Sequence, residues 1–356
     1  MSVFLYTGGL GLVRKSGVGQ AILHQEALLE QAGIPTVERW RTPSQVIHIN
    51  TVFPRSVLAA LRARLTRKKV VYYGHSTMED FRCSFRGSNL LAPLFRRWIL
   101  FCYSLGDVVL TPTEYSKALL KSYGLRRPIH SISNGIDTAF FAPSAARGRA
   151  FRTRYGLGGD EKVVVSVGHT IQRKGILDFI QLARWMPEVR FLWFGYTNPE
   201  LLPRAVREAM ADAPENLSFP GFLEREALRD AYCGADAFVF LSHEETEGIV
   251  VLEALACGVP TVLRDIPVYD GWLEQGRDVY KVRDLEEAVV TVSGLLQKTL
   301  PDLTAAGRAA AERRSFRAVA ERLRAIYRRE GLLELAETPA ISSRRPPLPH
   351  AAKIGQ

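Results

Sequence analysis

Two carboxylates eight residues apart, Glu245 and Glu253, stand where a short apolar run meets a longer apolar segment, within EETEGIVVLEALACGVP (244–260). The run before them, ADAFVFLS (235–242), has the apolar and aromatic make-up of a buried strand. Gly248 then opens a segment that closes on Cys257, Gly258 and Pro260, so the stretch reads as strand, loop, helix. The N–H groups at such a helix start have no partner inside the helix, and the helix dipole favours an anion in front of them. A diphosphate meets both conditions. Glu245, in the loop, can accept hydrogen bonds from sugar hydroxyls, and Glu253, about a turn and a half into the helix, can grip the two hydroxyls of a ribose. Hydroxyl-to-carboxylate bonds are short and comparatively strong. The chemistry read here is recognition of a nucleotide sugar; the other reading of this segment taken alone is a core helix with two surface glutamates.

Three further groups can serve the same chemistry. VVVSVGHTIQRKG (163–175) is a strand whose end delivers Arg173 and Lys174, two cations able to offset a diphosphate and stabilise it as a leaving group. KVVYYGH (69–75) places His75 at the carboxyl end of a parallel strand, where open α/β sheets bind ligands. Ser76, Thr77, Glu79 and Asp80 follow it, the last two as candidates for contacting or activating an acceptor hydroxyl or as helix caps. In SGVGQAILHQ (16–25), Gly17 and Gly19 precede a helical pattern and let backbone approach a phosphate. The next strand candidate ends near Trp40 without a carboxylate in a convincing place to grip a nicotinamide-cofactor ribose, which weakens a dehydrogenase reading.

The pattern Glu-x7-Glu followed by A-C-G-x-P resembles the retaining glycosyltransferases of the GT-B fold, family 4, whose usual form is E-G-F-G-x-x-x-x-E-A-x-A-x-G-x-P. Thr246 and Glu247 replace the usual glycine and phenylalanine, at the position that lies beside the donor sugar in that family. The form EETEGIVVLEA, with GHSTMEDF (74–81) and RGSNLLAPLF (86–95), is similar to the bacterial branch that glucosylates diacylglycerol, and the resemblance covers most of residues 1–330. It implies a donor site made of Gly17, Gly19, His169, Arg173, Lys174, Gly221, Phe222, Glu245, Thr246, Glu247, Gly248, Ile249 and Glu253. His169 stands where the family usually has arginine, with Arg173 as its substitute, and Gly221 and Phe222 stand where the family holds the base. His75, Glu245, Lys174 and Arg173 are the implied catalytic set, and Ser76, Thr77, Glu79 and Asp80 the acceptor set. No metal and no cofactor beyond a UDP-sugar co-substrate is expected: the sequence has no Asp-x-Asp pair of the metal-dependent kind.

The elements that must position these residues form two successive βαβ series. Strand-like runs at 3–8, 45–50, 69–75 and 107–113 alternate with helical stretches, and a second series runs through 162–169, 189–195, 217–222, 237–242 and 260–265. The expected fold is α/β, a doubly wound architecture repeated twice; the resemblance implies GT-B, two Rossmann-like domains facing a central cleft with a last helix that returns to the first. The first spans 1–140 and the second 141–315, with a linker near 138–150, a helix at 316–335 crossing back to the first domain, and a Pro-rich, disordered tail at 336–356.

A chain of 356 residues suits two domains rather than one core. It lacks the eighteen or so uninterrupted apolar residues of a spanning helix, and its start, MSVFLYTGG, lacks the features of a signal peptide. Cys83, Cys102, Cys233 and Cys257 form neither a close pair nor a metal-ligand spacing, which suits reduced thiols. Residues 1–140 hold 18 Lys plus Arg against 8 Asp plus Glu, and 141–356 hold 29 of each, so the first domain carries the whole net charge of +10. Its basic residues flank apolar ones at helical spacing: Val57, Leu58, Leu61 and Leu65 among Arg55, Arg62, Arg64, Arg67, Lys68 and Lys69, and Leu90, Leu91, Leu94, Phe95, Trp98 and Ile99 beside Arg96 and Arg97. Basic amphipathic helices of this kind suit an anionic membrane surface, unless their apolar sides simply face the core. The expected protein is cytoplasmic and peripheral on the inner leaflet, moving a hexose, glucose from UDP-glucose, to diacylglycerol. A polysaccharide or soluble acceptor is the alternative. A nucleic-acid-binding protein is disfavoured, because aromatics are not interleaved with the basic runs.

Overall fold

The protein is described here by a computed structural model covering residues 2–13, 16–37, 39–40 and 42–332; the tail expected to be disordered lies outside the described residues. Two parallel six-stranded sheets organise the chain. The first holds β1 (Val3–Tyr6), β2 (Thr36–Val37), β3 (Val46–Ile49), β4 (Lys69–Tyr73), β5 (Val108–Thr111) and β6 (Ile129–Ser131), in the order β2-β1-β3-β4-β5-β6. Its helices are α1 (Leu10–Val13), α2 (Gly17–Gln31), α3 (Pro54–Leu65), α4 (Met78–Phe81), α5 (Ser88–Ser104) and α6 (Glu114–Ser122). The second holds β7 (Val163–Val167), β8 (Arg190–Phe194), β9 (Leu217–Gly221), β10 (Ala237–Phe240), β11 (Thr261–Arg264) and β12 (Tyr280–Val282), in the order β12-β11-β10-β7-β8-β9. With it go α7 (Ala145–Arg154), α8 (Ile176–Trp185), α9 (Arg204–Ala211), α10 (Arg225–Gly234), α11 (Ile249–Cys257), α12 (Leu285–Leu296) and α13 (Thr304–Glu312), and α14 (Phe316–Arg329) closes the described chain.

The strands form where the sequence offers unbroken apolar runs, because a parallel sheet covered by helices on both faces buries every side chain. β7 (VVVSV) and β10 (AFVF) are buried along their whole length, and their residues divide between the cores on the two faces of the second sheet. Strand order reverses between β1 and β3 and again between β7 and β10. Those two switch points open the crevices in which doubly wound sheets hold ligands, and the loops after β7 and β10 carry Lys174 and Glu245 there. Three strands that the apolar runs did not reveal, β2, β6 and β12, have only two or three residues each and lie at sheet edges.

The expected return of the last helix is present. Phe316, Val319, Ala320, Leu323 and Tyr327 of α14 share one core with Leu28 and Leu29 of α2 and Val3, Leu5, Val71 and Tyr73 of the first sheet. The stretch read as a linker, 138–150, differs: Ser144 caps α7 by accepting from the Arg147 N–H, and the helix lies so close to α10 that a Cβ on Gly148 would stand 2.5 Å from the Cys233 carbonyl oxygen. An Arg-rich helix whose only large buried side chain is Phe151 shows no apolar period to read. The two passages of the chain between the halves run side by side: the Ile136 N–H donates to Arg314 O and the Phe316 N–H to Ile136 O, both at 3.0 Å.

The two basic helices each carry apolar residues beyond their core face. α3 buries Val57, Ala59, Ala60 and Ala63, yet Leu58, Leu61 and Leu65 are exposed; α5 buries Ala92, Ile99, Cys102 and Tyr103, yet Leu90, Leu91, Leu94 and Phe101 are exposed. Trp98 anchors α5 by donating to Val52 O at 2.7 Å. Among the described residues no helix is long and apolar enough to cross a membrane.

Candidate active site

Lys174 reaches Glu245 because the turn after β7 is pressed against β10. Gly175, at φ +79°, makes the turn, and a Cβ there would stand 2.2 Å from the Leu241 carbonyl oxygen, so only glycine allows the approach. Lys174 Nζ donates to Glu245 Oε1, which also accepts from Ser242 Oγ at 2.7 Å and lies 3.9 Å from Arg173 Nη1. Burial works to raise the Glu245 carboxyl, but Lys174 and Arg173 outweigh it and hold it below the usual carboxylate value. Burial lowers Lys174, and the pairing with Glu245 offsets part of that. The result is a charged pair of a buried Glu245 and a mostly buried Lys174, with Gly248 (φ +87°) opening α11 three residues after Glu245.

Glu253, one and a half turns into α11, is buried and accepts from Tyr232 Oη at 3.0 Å. Burial pushes its carboxyl up to about 7. His75, after β4, is also buried; its Nε2 lies 3.2 Å from Asn50 Oδ1 and 3.3 Å from Gln25 Nε2, and its ring stacks on Tyr73 with centroids 4.2 Å apart. Burial, with His48 nearby, depresses His75 to about 3, so it is neutral at physiological pH.

The remaining residues singled out from the sequence are placed as follows. Gly17 and Gly19 begin α2 under the Ser16 cap, and Gly221 ends β9 at φ +89° with Phe222 next to it. The Nδ1 atom of His169 lies 3.0 Å from Tyr196 O, and burial lowers the imidazole. Thr246 turns its carbonyl to Thr113 Oγ1 of the first domain at 2.9 Å. Ile249 is buried at the first turn of α11. Ser76 exchanges hydrogen bonds with Tyr103 Oη, and Thr77 caps α4 by accepting from the Asp80 N–H at 3.1 Å. Glu79 accepts from Tyr123 Oη. Asp80 pairs with Arg173 Nη1 at 2.9 Å, so an acceptor candidate of the first domain holds a cation of the second. Glu247 accepts from the backbone and side-chain N–H of Asn134 at 2.9 and 2.8 Å; its carboxylate faces the interdomain passage.

Sequence reasoning missed several participants. Ser242, Tyr232, Asn50 and Gln25 carry no local signal, since their roles come from long-range packing. Glu244, inside the singled-out stretch, is pushed up to about 7 by burial and by Asp80, Glu79 and Glu245, against a hydrogen bond from Tyr115 Oη at 2.9 Å. A cavity of about 780 Å³ lies behind this region, lined in part by Thr113, Ser133, Trp272, Arg313 and Arg314, away from Glu245 and His75.

Comparison with known proteins places these features in a family. Residues 149–310 match the model described as glycosyl transferases group 1, and residues 34–140 that described as glycosyltransferase family 4. The chain is 36% identical to the processive diacylglycerol alpha-glucosyltransferase of Acholeplasma laidlawii over 92% of its own length and 98% of that protein. It is 27% identical to the alpha-galactosylglucosyldiacylglycerol synthase of Streptococcus pneumoniae, over 74% of this chain and 72% of that one. In fold it matches Anabaena HepE, solved in complex with UDP-glucose, at a TM-score of 0.75 and 16% identity, covering 92% of this chain and 99% of the other. With two parallel six-stranded sheets and the Glu245 and Glu253 motif around the start of α11, the chain belongs to the family 4, group 1 glycosyltransferases of the GT-B fold.

Proposed function

We propose that this glycosyltransferase moves glucose from UDP-glucose to the free hydroxyl of diacylglycerol at the cytoplasmic leaflet, with retention of the anomeric configuration. The observation that carries this reading is the buried Lys174–Glu245 pair in front of α11, with Glu253 deeper in the same helix. The unpaired N–H groups of the first turn of α11 take the diphosphate. Lys174 and Arg173 neutralise the leaving charge, so no metal is required in this scheme. Glu245, released from Lys174 by the incoming phosphate, accepts from sugar hydroxyls, and Glu253 accepts from the ribose. Neutral His75 contacts the reacting sugar without adding charge. No nucleophile at the spacing of a retaining glycosidase can be named from the sequence, which favours same-face departure and attack.

The lipid acceptor is supported by the names of the relatives and by the apolar side chains left over on α3 and α5. Leu65 and Leu90 are each 86% exposed, beside Arg62, Arg64, Arg96 and Arg97. Such a surface lowers its free energy by lying in the headgroup region of an anionic leaflet. Incubation with diacylglycerol vesicles and a panel of labelled nucleotide sugars, in EDTA, tests the proposal. Glucolipid formed from UDP-glucose is expected. Transfer to a soluble sugar with none to lipid overturns the acceptor, and dependence on added metal overturns the charge scheme.

A further inference from the structure

Glu247 stands two residues from Glu245, and its carboxylate is spent elsewhere. It is 1% exposed, and Oε2 accepts from both the backbone and the side-chain N–H of Asn134. Oε1 lies 3.9 Å from Arg314 Nε, and neither of those two atoms has a hydrogen-bond partner among the described residues. Asn134 belongs to the first passage between the domains and Arg314 to the second, which are hydrogen-bonded to each other through Ile136. One side chain on the loop that opens α11 therefore touches both passages. The same segment is gripped from the first domain: Tyr73, stacked under His75, donates to Ile132 O. Arg314 is stacked at 4.1 Å on Trp272 and borders the 780 Å³ cavity, so its guanidinium has room to move toward or away from Glu247.

We propose that Glu247 is a positioning residue that ties the Glu245 loop to the hinge, so that ordering this loop and closing the interdomain cleft are a single event. A buried carboxylate with one oxygen saturated and the other facing a guanidinium at 3.9 Å gains most when that gap shortens. The two Asn134 bonds carry a shift of the loop into the first passage, and the Ile136 hydrogen bonds carry it on into the second. The Thr113 Oγ1 bond to Thr246 O, one residue earlier, holds the same loop to the first domain and gives the motion its pivot. This inference rests on the donor-site reading above.

The test uses the full chain with UDP, UDP-glucose and diacylglycerol vesicles, and compares Glu247→Ala, Glu247→Gln and Asn134→Ala with the parent. Calorimetry reads UDP binding, steady-state assays separate kcat from KM, and small-angle scattering reads compaction on UDP addition. Loss of hydrogen bonds to a charged group predicts a fall in kcat of about ten- to a hundredfold for Glu247→Ala, with UDP binding retained and compaction lost. Glu247→Gln keeps an acceptor for Asn134 in the same volume and restores part of the turnover and compaction. Parental kcat and compaction in Glu247→Ala overturn the proposal. If that variant does not fold, parental kcat in both Glu247→Gln and Asn134→Ala overturns it equally. Absence of UDP binding by the parent refutes instead the donor reading on which the proposal depends.

Discussion

Glu253→Gln tests the carboxylate that the proposed donor site assigns to the ribose. Burial raises the Glu253 carboxyl from 4.5 to about 7. At ~1.4 kcal/mol per pK unit, its charged form costs on the order of 3 kcal/mol in the free protein. The cost has a definite sign with pH. Below 4.5 the folded and unfolded chains both hold the proton; between 4.5 and about 7 only the folded chain holds it, so stability falls as pH rises through that window and levels off above it. In the proposed donor site ribose hydroxyls donate to the carboxylate, so the donor would bind the ionised form and expel the proton. One unit below the midpoint, binding weakens about tenfold relative to alkaline pH. Calorimetry with UDP-glucose, whose diphosphate diester does not titrate here, reads both the affinity and the released proton when repeated at pH 6 and pH 8 in two buffers of different ionisation heat. The parent is expected to release close to one proton at pH 6, and Glu253→Gln none, with weak binding that ignores pH. Equal pH dependence in parent and variant would refute the assignment of Glu253 to the ribose.

Lys174→Met leaves Glu245 buried with only Ser242 and the more distant Arg173, and is expected to cost ~3 kcal/mol, the low end for a broken buried pair. The double change Lys174→Met with Glu245→Gln should regain that stability in denaturant melts without regaining transfer, and recovery of transfer by the double variant would contradict the charge scheme. On α5, Leu90 and Leu94 are 86% and 64% exposed, so replacing both with serine should leave the melting temperature unchanged. It should weaken binding to anionic vesicles by roughly 2–4 kcal/mol, a factor of at least about thirty. Vesicle flotation at parental strength would exclude this helix from the membrane contact.

What the sequence made legible follows from how local each signal is. The central strands read directly, since a run such as VVVSV between two helical stretches has few other homes, whereas β6 (IHS) has no run to read. Glu245 and Lys174 could be assigned to one site because each follows a strand and doubly wound sheets gather such ends together, although their direct pairing could not be read. The partner of Arg173 could not be read. Asp80 lies in the other domain, far back in the chain, and only the packing of the two halves brings the pair to 2.9 Å. Glu247 shows the limit of motif reasoning: its place in the pattern suggested a donor contact, but in a loop leaving a strand the side chain two positions from Glu245 turns to Asn134, more than a hundred residues back in the chain. Likewise, helical spacing cannot separate the core face of α5 from a second apolar face, since Ile99 and Leu94 look alike until the sheet covers one of them.

The packing of α14 against α2 constrains how the protein comes into being. The first domain's core is finished by Phe316, Val319, Leu323 and Tyr327, residues made after the entire second domain. Residues 1–140, emerging first from the ribosome, must wait with Leu28 and Leu29 uncovered while the other half is synthesised. An isolated amino-terminal fragment would present that greasy seam permanently. The two halves are thus separate in architecture but unequal in biogenesis: the second completes its cores from residues made before the last helix, whereas a nonsense codon just before that helix would leave the first unfinished.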